Sequence, residues 1–402
     1  MALNFVKNHD WSQDSLVNVQ SKIILADETL RDGLQSGSIK KKPNIKQMYA
    51  FLHCINDLGM DEVNVGFPAS LRIAYELVKY IADHIPELKP YCTGRATVDD
   101  IKPILKLRED TGVDVFAALF VGTSPIRTRV ENWNLDNLVR QVRGAIKFAT
   151  ENNLKVMLVT EDTTRTSPDI LSIIYETAIS EGAKKICIAD TVGQSTPNGV
   201  HKIVSYIKDE IVKTSNIEIE WHGHNDRGLA TSNAIQAVLS GVNRVSTTAI
   251  GVGERAGNIP THEFIYNLYL LGILDRTNIN LARIVEYSQR CAKMLGIEIP
   301  KIEPIIGDDI FTTESGIHAA AILKSKTIED KNNVYSSVNA ETLGRKQKIV
   351  VGPNSGKANV ISLLIEQGFN ESDITEQQIQ KILSLAKMKN KQLTLKEILS
   401  QL

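Results

Sequence analysis

K-V-M-L-V-T-E-D-T-T-R-T-S-P-D-I-L-S-I-I-Y-E-T-A-I-S-E-G-A-K-K-I-C-I-A-D, running from Lys155 to Asp190, reads as strand, helix, strand. A β-branched run ends in polar residues and Ser167-Pro168 supplies a helix start. Asp169 to Glu181 carries a helical pattern, and Gly182 stops it before the next apolar run. The same unit recurs outward in both directions. Further strand candidates begin at Lys22, Asp61, Lys89, Asp114, Ile217 and Arg244, which makes eight. Helical stretches such as Ile45 to Leu58, Leu135 to Glu151 and Gly199 to Val212 lie between them, with Thr196-Pro197 as another start and Gly59 and Gly241 as further ends. Strict alternation implies parallel pairing, and eight such units in roughly 250 residues predict a (β/α)8 TIM barrel. A doubly wound open sheet is the structural alternative. It would lead us to expect a G-x-G-x-x-G turn after the first strand, where this chain has L-R-D-G-L-Q.

The pattern assigns 1-20 to an N-terminal extension and 21-276 to the barrel. The Pro-interrupted 277-310 reads as a helical linker subdomain, and 311-402 as a small, mostly helical α+β domain. Across the 402 residues, 46 Lys and Arg balance 47 Asp and Glu, so neither nucleic acid nor an anionic membrane is favoured as a partner. The four cysteines are scattered and form no C-x-x-C pair, which fits a reducing, cytoplasmic setting. The N-terminus has no apolar core of signal-peptide length, and no segment is long and apolar enough to span a bilayer.

Barrel active sites collect at the C-terminal ends of the strands, so chemistry is expected there. The expected rim holds Arg31, Asp32, Gln35, Asn64, Arg95, Ser124, Arg127, Glu161, Asp190, Thr191, His222, His224, Glu254, Arg255 and Asn258. His222 and His224 stand two apart at the end of a strand and therefore share a face, the geometry a divalent metal needs. Asp32 at the mouth of strand one is adjacent to strand eight and near strand seven in a closed barrel, which makes it the candidate third ligand. Read blandly, Asp32 caps the helix that follows it, and Arg31 is a rim ion-pair partner of Glu161.

Four motifs carry a resemblance: D-E-T-L-R-D-G-L-Q (Asp27 to Gln35), H-G-H-N-D (His222 to Asp226), G-V-G-E-R-A-G-N (Gly251 to Asn258) and E-S-G-I-H (Glu314 to His318). Together, in order over about residues 21 to 370, they resemble the 2-isopropylmalate synthase and homocitrate synthase family. The resemblance implies an acyltransferase that condenses acetyl-CoA with a 2-oxo acid at one divalent metal ion, zinc, manganese or magnesium. It implies Asp32, His222 and His224 as ligands with Asn258 as a further one, and Arg31 facing developing negative charge. By the same resemblance Glu161 and Thr191 bind the 2-oxo acid, with Gln35 near the acetyl group and the Gly251, Gly253, Glu254, Arg255 loop near CoA. His318 is the implied base, with Glu314 one turn earlier to orient it and Tyr335 nearby. A homodimer is implied in which the C-terminal domain acts in trans. Without the motif, Glu314 and His318 read as a surface i, i+4 pair.

The chain departs from the family pattern in two places. Asn64 stands where the family usually has Glu before Gly-Phe-Pro, and Arg127, with Arg129 close by, stands where isopropylmalate enzymes usually show His. Losing a carboxylate at Asn64 and gaining guanidinium groups at Arg127 and Arg129 predicts a more positive substrate pocket, suited to a second carboxylate on the 2-oxo acid, and Arg95 is a further candidate for substrate binding. With Leu402 as its last residue, the chain is expected to lack the leucine-sensing domain that isopropylmalate synthases often carry. The competing activity is a metal-dependent aldolase or lyase of the same barrel group running the reverse carbon-carbon cleavage. Hydroxymethylglutaryl-CoA lyases carry a cysteine in the loop after strand eight, and Gly251 to Asn258 contains none.

Overall fold

Eight parallel strands close in sequence order: β1 (Ile24–Asp27), β2 (Glu62–Asn64), β3 (Lys89–Arg95), β4 (Phe116–Gly122), β5 (Val156–Glu161), β6 (Lys185–Asp190), β7 (Glu218–Gly223) and β8 (Arg244–Thr247). The ring is sealed where β1 pairs with β8, Ile24 opposite Arg244 and Asp27 opposite Thr247. This is a computed structural model, and it describes residues 22–70, 72–213, 216–325 and 334–402. Side chains alternate between the helical jacket and the interior. Outward Trp221 is fully buried under helices, while Glu220 and His222 on the same strand face inward to a shared cavity. The sequence pattern of the fold is met throughout, with small differences at element ends. The stretch expected as one helix from Gly199 to Val212 is α-helical over Pro197–Tyr206, and Ile207–Val212 closes it as π-helix.

The N-terminal end of the barrel interior is filled. The Tyr91 and Phe116 rings stack at 4.6 Å between centroids, and the fully buried Arg244 guanidinium lies 4.8 Å from the Tyr91 ring. Arg244 pairs with Glu62 at 2.7 Å and with Glu220, and Lys185 pairs with Glu62 at 3.3 Å and Glu218 at 2.7 Å. A buried charge is tolerated only when paired, and here each guanidinium or ammonium meets one carboxylate from neighbouring β7 and Glu62 of β2 across the barrel. With this end plugged, the interior opens at the C-terminal mouth.

The chain divides after Glu298 into two units, inside the segment expected as a linker. The helix Ile284–Leu295 belongs with the barrel. Its Tyr287 hydroxyl donates to Asp27 on the outer face of β1, and its ring stacks on Phe51 at 5.3 Å. The second unit pairs Thr312–Thr313 with Lys348–Ile349 in parallel. Its helices Gly316–Lys324, Lys357–Glu366, Glu376–Lys389 and Leu395–Leu399 accompany a core of Val351, Val360, Leu364, Ile379, Ile382 and Ile398. Among the described residues no helix is long and apolar enough to cross a membrane.

Candidate active site

Period-two alternation delivers both imidazoles of β7 to the mouth, and the turn after β1 brings a carboxylate to meet them. Asp32 Oδ2 lies 3.7 Å from His222 Nε2 and 3.9 Å from His224 Nε2, and all three residues are buried or nearly so. Those separations exceed a hydrogen bond and approach the spacing of about 3.4 Å between ligands around a tetrahedral zinc. His222 Nδ1 sits 2.9 Å from Ser246 Oγ, which fixes its ring and leaves Nε2 toward the group. Asp32 precedes the short 3-10 turn Gly33–Gln35 but makes no side-chain capping bond, so the bland reading of it fails.

The donor set fits a divalent cation. Burial pushes the His224 imidazole down to about 4, with His222 adding to the effect, and burial likewise lowers His222 against the pull of Asp32. Both rings are therefore neutral and have a lone pair free at neutral pH. Burial opposes ionisation of Asp32, but Arg31, with the Asn258 hydrogen bond adding to it, outweighs burial and holds the carboxyl well below the usual range. Asn258 donates through Nδ2 to Asp32 Oδ1 at 2.8 Å and to the Val252 carbonyl at 3.1 Å, and its buried Oδ1 accepts nothing. An orphaned amide oxygen beside an anionic carboxylate and two neutral imidazoles is an arrangement a cation completes.

The loop after β8 is shaped around these ligands. A Cβ on Gly253 would meet Asn258 Nδ2 at 2.0 Å and Asp32 Oδ1 at 3.0 Å, and one on Gly251, at φ +67°, would meet the Pro260 ring at 2.9 Å. The two glycines thus make room for neighbouring protein groups in the loop itself. Ile250, a β-branched residue, takes φ 50° there, a strained conformation. Arg255 clamps the loop to Asp226 at 2.8 Å and to the Thr191 carbonyl, and Glu254 stands half-free at the cavity's edge.

Arg31 is held from below. Its Nε donates to Glu28 Oε2 at 2.6 Å and its Nη1 to Asp32 Oδ2 at 2.8 Å, so its ion-pair partners are these two and not Glu161. Sequence reasoning passed over Glu28, although it sits two residues past inward-facing Ala26 and so shares its face. Glu28 also accepts from Asn64 Nδ2 at 2.9 Å and from the Tyr91 hydroxyl. Asn64 spends its remaining groups on Thr93 and the Gly66 amide, fully buried beneath the cavity wall. Asn64 is thus a buried, hydrogen-bonded support for Glu28, whose carboxylate borders the cavity.

Two other expected pocket residues lie elsewhere. Arg95 turns outward, two-thirds exposed, into a bidentate pair with Asp100, because the first turn of the following helix presents that carboxylate to it. Arg127 pairs with Glu131 at 2.5 Å and lies 3.3 Å from Glu161 outside hydrogen-bond geometry; it does not line the cavity. Arg31, Asp32, Gln35, Glu161, Thr191 and the histidine pair do line one cavity of about 310 Å³, together with Glu28 and Glu220. Burial raises the Glu161 carboxyl above its ordinary value, with Arg127 pulling the other way. Thr191 Oγ accepts from the Asp162 amide at 2.8 Å, which leaves the hydroxyl proton free to donate into the cavity.

In the second unit the exposed rings of His318 and Tyr335 stack at 3.9 Å between centroids. Tyr335 takes φ 57°, a left-handed conformation that costs about 1 kcal/mol or more for such a residue. Glu314 does not orient His318. It precedes the helix Gly316–Lys324, and its carboxylate accepts from the Asn354 amide at 3.2 Å and packs against Gly352.

A closed βα barrel with a carboxylate and two imidazoles at its C-terminal mouth defines a barrel enzyme with a metal-type donor set. The HMGL-like family model matches residues 22–290, and a 2-isopropylmalate synthase of Methanocaldococcus jannaschii is 31% identical over 92% of this chain and 68% of its own length. A homocitrate synthase of Methanopyrus kandleri is 29% identical over 92% of this chain and 89% of its own. The chain belongs to the HMGL-like family and stands within it among the 2-isopropylmalate and homocitrate synthases. The barrel is also similar to a solved hydroxymethylglutaryl-CoA lyase of Pseudomonas aeruginosa, with TM-score 0.58 and 17% identity over 69% of this chain and 94% of that one, a likeness of fold.

Proposed function

We propose that this chain condenses acetyl-CoA with a 2-oxo acid and releases CoA by hydrolysis of the resulting thioester, giving a 2-alkylmalate-type product. The observation that carries the reading is the Asp32, His222, His224 group at the mouth of a barrel whose relatives are synthases of this kind. Held by these three residues and Asn258 Oδ1, a divalent ion would polarise the carbonyl of the 2-oxo acid as a Lewis acid. The Thr191 hydroxyl donates to the acid's carboxylate, and Glu161 bounds the same wall. Arg31, fixed by Glu28, presents a permanent positive charge where oxygen charge develops. His318, stacked on Tyr335, takes the proton from the acetyl methyl carbon, which then bonds to the ketone carbon. The ketone oxygen is protonated, and water cleaves the thioester. We assign the His318 and Tyr335 pair to the barrel of a second copy in a homodimer. Four free thiols accord with a cytoplasmic enzyme.

Thiol release from acetyl-CoA, followed with a panel of 2-oxo acids and added Mn²⁺, tests the chemistry: release that depends on both the acid and the ion is expected, and none with any acid refutes it. Asp32→Ala and His318→Ala are each expected to be inactive. Mixed and re-equilibrated, they should regain roughly a quarter of wild-type turnover if the two residues act across copies, and nothing if they act within one.

A further inference from the structure

We infer that the 2-oxo acid taken by this cavity carries an uncharged, apolar side chain long enough to reach the second layer of the barrel interior. The inference rests on the condensation reading and extends it to the substrate's variable part. CoA is far larger than a cavity of about 310 Å³, so the thioester reaches the site through the open mouth. The acid's carboxylate and ketone face Thr191 and the histidine pair, which leaves its remaining substituent the wall formed by β4, β5 and β6 below Thr191 and Glu161. That wall is apolar over two rows above Glu220. Phe120, Val159 and Ala189 form an upper row, and Ala118, Met157 and Cys187, each two residues down its strand and packed in one cluster, form a lower row. Two residues of strand correspond to roughly 6–7 Å, more than an isopropyl group spans. The small residues Ala118 and Cys187 leave the lower row open, and Phe67, edge-on to Phe120 at 6.3 Å, covers the wall's upper edge.

The charged side chains around the cavity are paired among themselves and offer a second carboxylate no partner. Glu28, Asp32, Glu161, Glu220 and Glu254 all border it, and the guanidinium that lines it, Arg31, is engaged by Glu28 and Asp32. Arg127 and Arg95 stand outside with carboxylate partners of their own. A dicarboxylic acid would have to bury an anion against apolar rows and above Glu220, with no unpaired cation among the described residues that line the cavity. The proposed apolar side chain runs against the second carboxylate expected from the sequence.

Wild-type enzyme with Mn²⁺ and acetyl-CoA is to be assayed with pyruvate, 2-oxoisovalerate, 4-methyl-2-oxopentanoate, 2-oxohexanoate, oxaloacetate and 2-oxoglutarate. We expect kcat/KM for the two six-carbon monocarboxylates to exceed that for pyruvate by about a hundredfold, as added buried methylenes allow, and that for the dicarboxylates by at least as much. Highest kcat/KM with a dicarboxylate, with pyruvate or with 2-oxoisovalerate overturns the inference. Ala118→Leu and Cys187→Leu fill the lower row and should each shift the ratio of 4-methyl-2-oxopentanoate to pyruvate by about tenfold or more toward pyruvate. An unchanged ratio in both overturns it too. Thermal stabilisation of the Mn²⁺-loaded protein by each acid, without acetyl-CoA, separates the two readings. Greater stabilisation by the six-carbon acids with no turnover sinks the condensation and keeps the side-chain assignment. Turnover that favours a dicarboxylate does the reverse.

Discussion

The two ends of the barrel interior are built from the same kinds of residue and reach opposite results. At the N-terminal end Arg244 and Lys185 are interleaved with Glu62, Glu218 and Glu220 and sealed by Tyr91 and Phe116. At the C-terminal end Arg31 faces Glu28 and Asp32, the imidazoles are kept neutral, and the Asn258 amide oxygen is left without a donor. One end satisfies its charges internally and fills its space, and the other leaves a cavity and an electrostatic demand. Inward-facing charge in a barrel therefore has no single meaning. What separates structure from chemistry is whether the protein itself supplies the last partner.

The sharpest way to break this contrast is to remove ligands from the open end. His222→Ala or His224→Ala should lower turnover on the order of a thousandfold and abolish tight metal binding, while the metal-free variants melt close to the metal-free wild type. Retained turnover at full metal depletion would dissolve the distinction. The filled end should respond in the opposite sense. Arg244→Met leaves Glu62 and Glu220 buried without their guanidinium, and equilibrium unfolding should show a loss of roughly 3–5 kcal/mol. If the protein survives, its affinity for Mn²⁺ should be unchanged, and a stability within experimental error of wild type would show that the plug is ornamental.

A smaller effect sharpens the boundary between interior and jacket. Asp27 points outward from β1, and burial pushes its carboxyl up to about 6 despite hydrogen bonds from Tyr287 and the Thr29 amide. Between its ordinary value near 4 and about 6, the folded state binds more protons here than the unfolded chain, so this site's contribution falls as pH rises through that window. The difference in unfolding free energy between wild type and Asp27→Asn should decline by up to about 3 kcal/mol across it and then level off. A difference independent of pH from 4 to 7 would place the carboxyl in an ordinary environment.

Much of this was legible before any coordinates. Strand and helix alternation fixed the number and order of the strands, because each βα unit carries its own start and stop residues. The spacing of His222 and His224 placed both on one face, since side-chain period in a strand is two. Glu28 and Glu220 were open to the same argument, lying on the inward register of Ala26 and of His222, but a lone acid in a strand attracts no notice without its partners. Arg95 and Arg127 were beyond sequence reasoning: both follow strands at the mouth, yet whether a long side chain bends inward depends on where Asp100, Glu131 and Glu161 offer a carboxylate. Asn64 faces inward as its register requires but is roofed by Glu28 and Thr93, a relation between three strands that no single segment encodes. Glu314 failed for a local reason, since the helix begins after it and helical spacing does not apply.

The central claim is that the open end of the barrel is completed by a divalent cation. Crystals grown with Mn²⁺ and measured near the manganese absorption edge test it directly. The account predicts an anomalous peak within about 2.0–2.4 Å of His222 Nε2, His224 Nε2 and an Asp32 carboxylate oxygen. A peak elsewhere, or none at those three residues in crystals of enzyme that turns over acetyl-CoA, would contradict it.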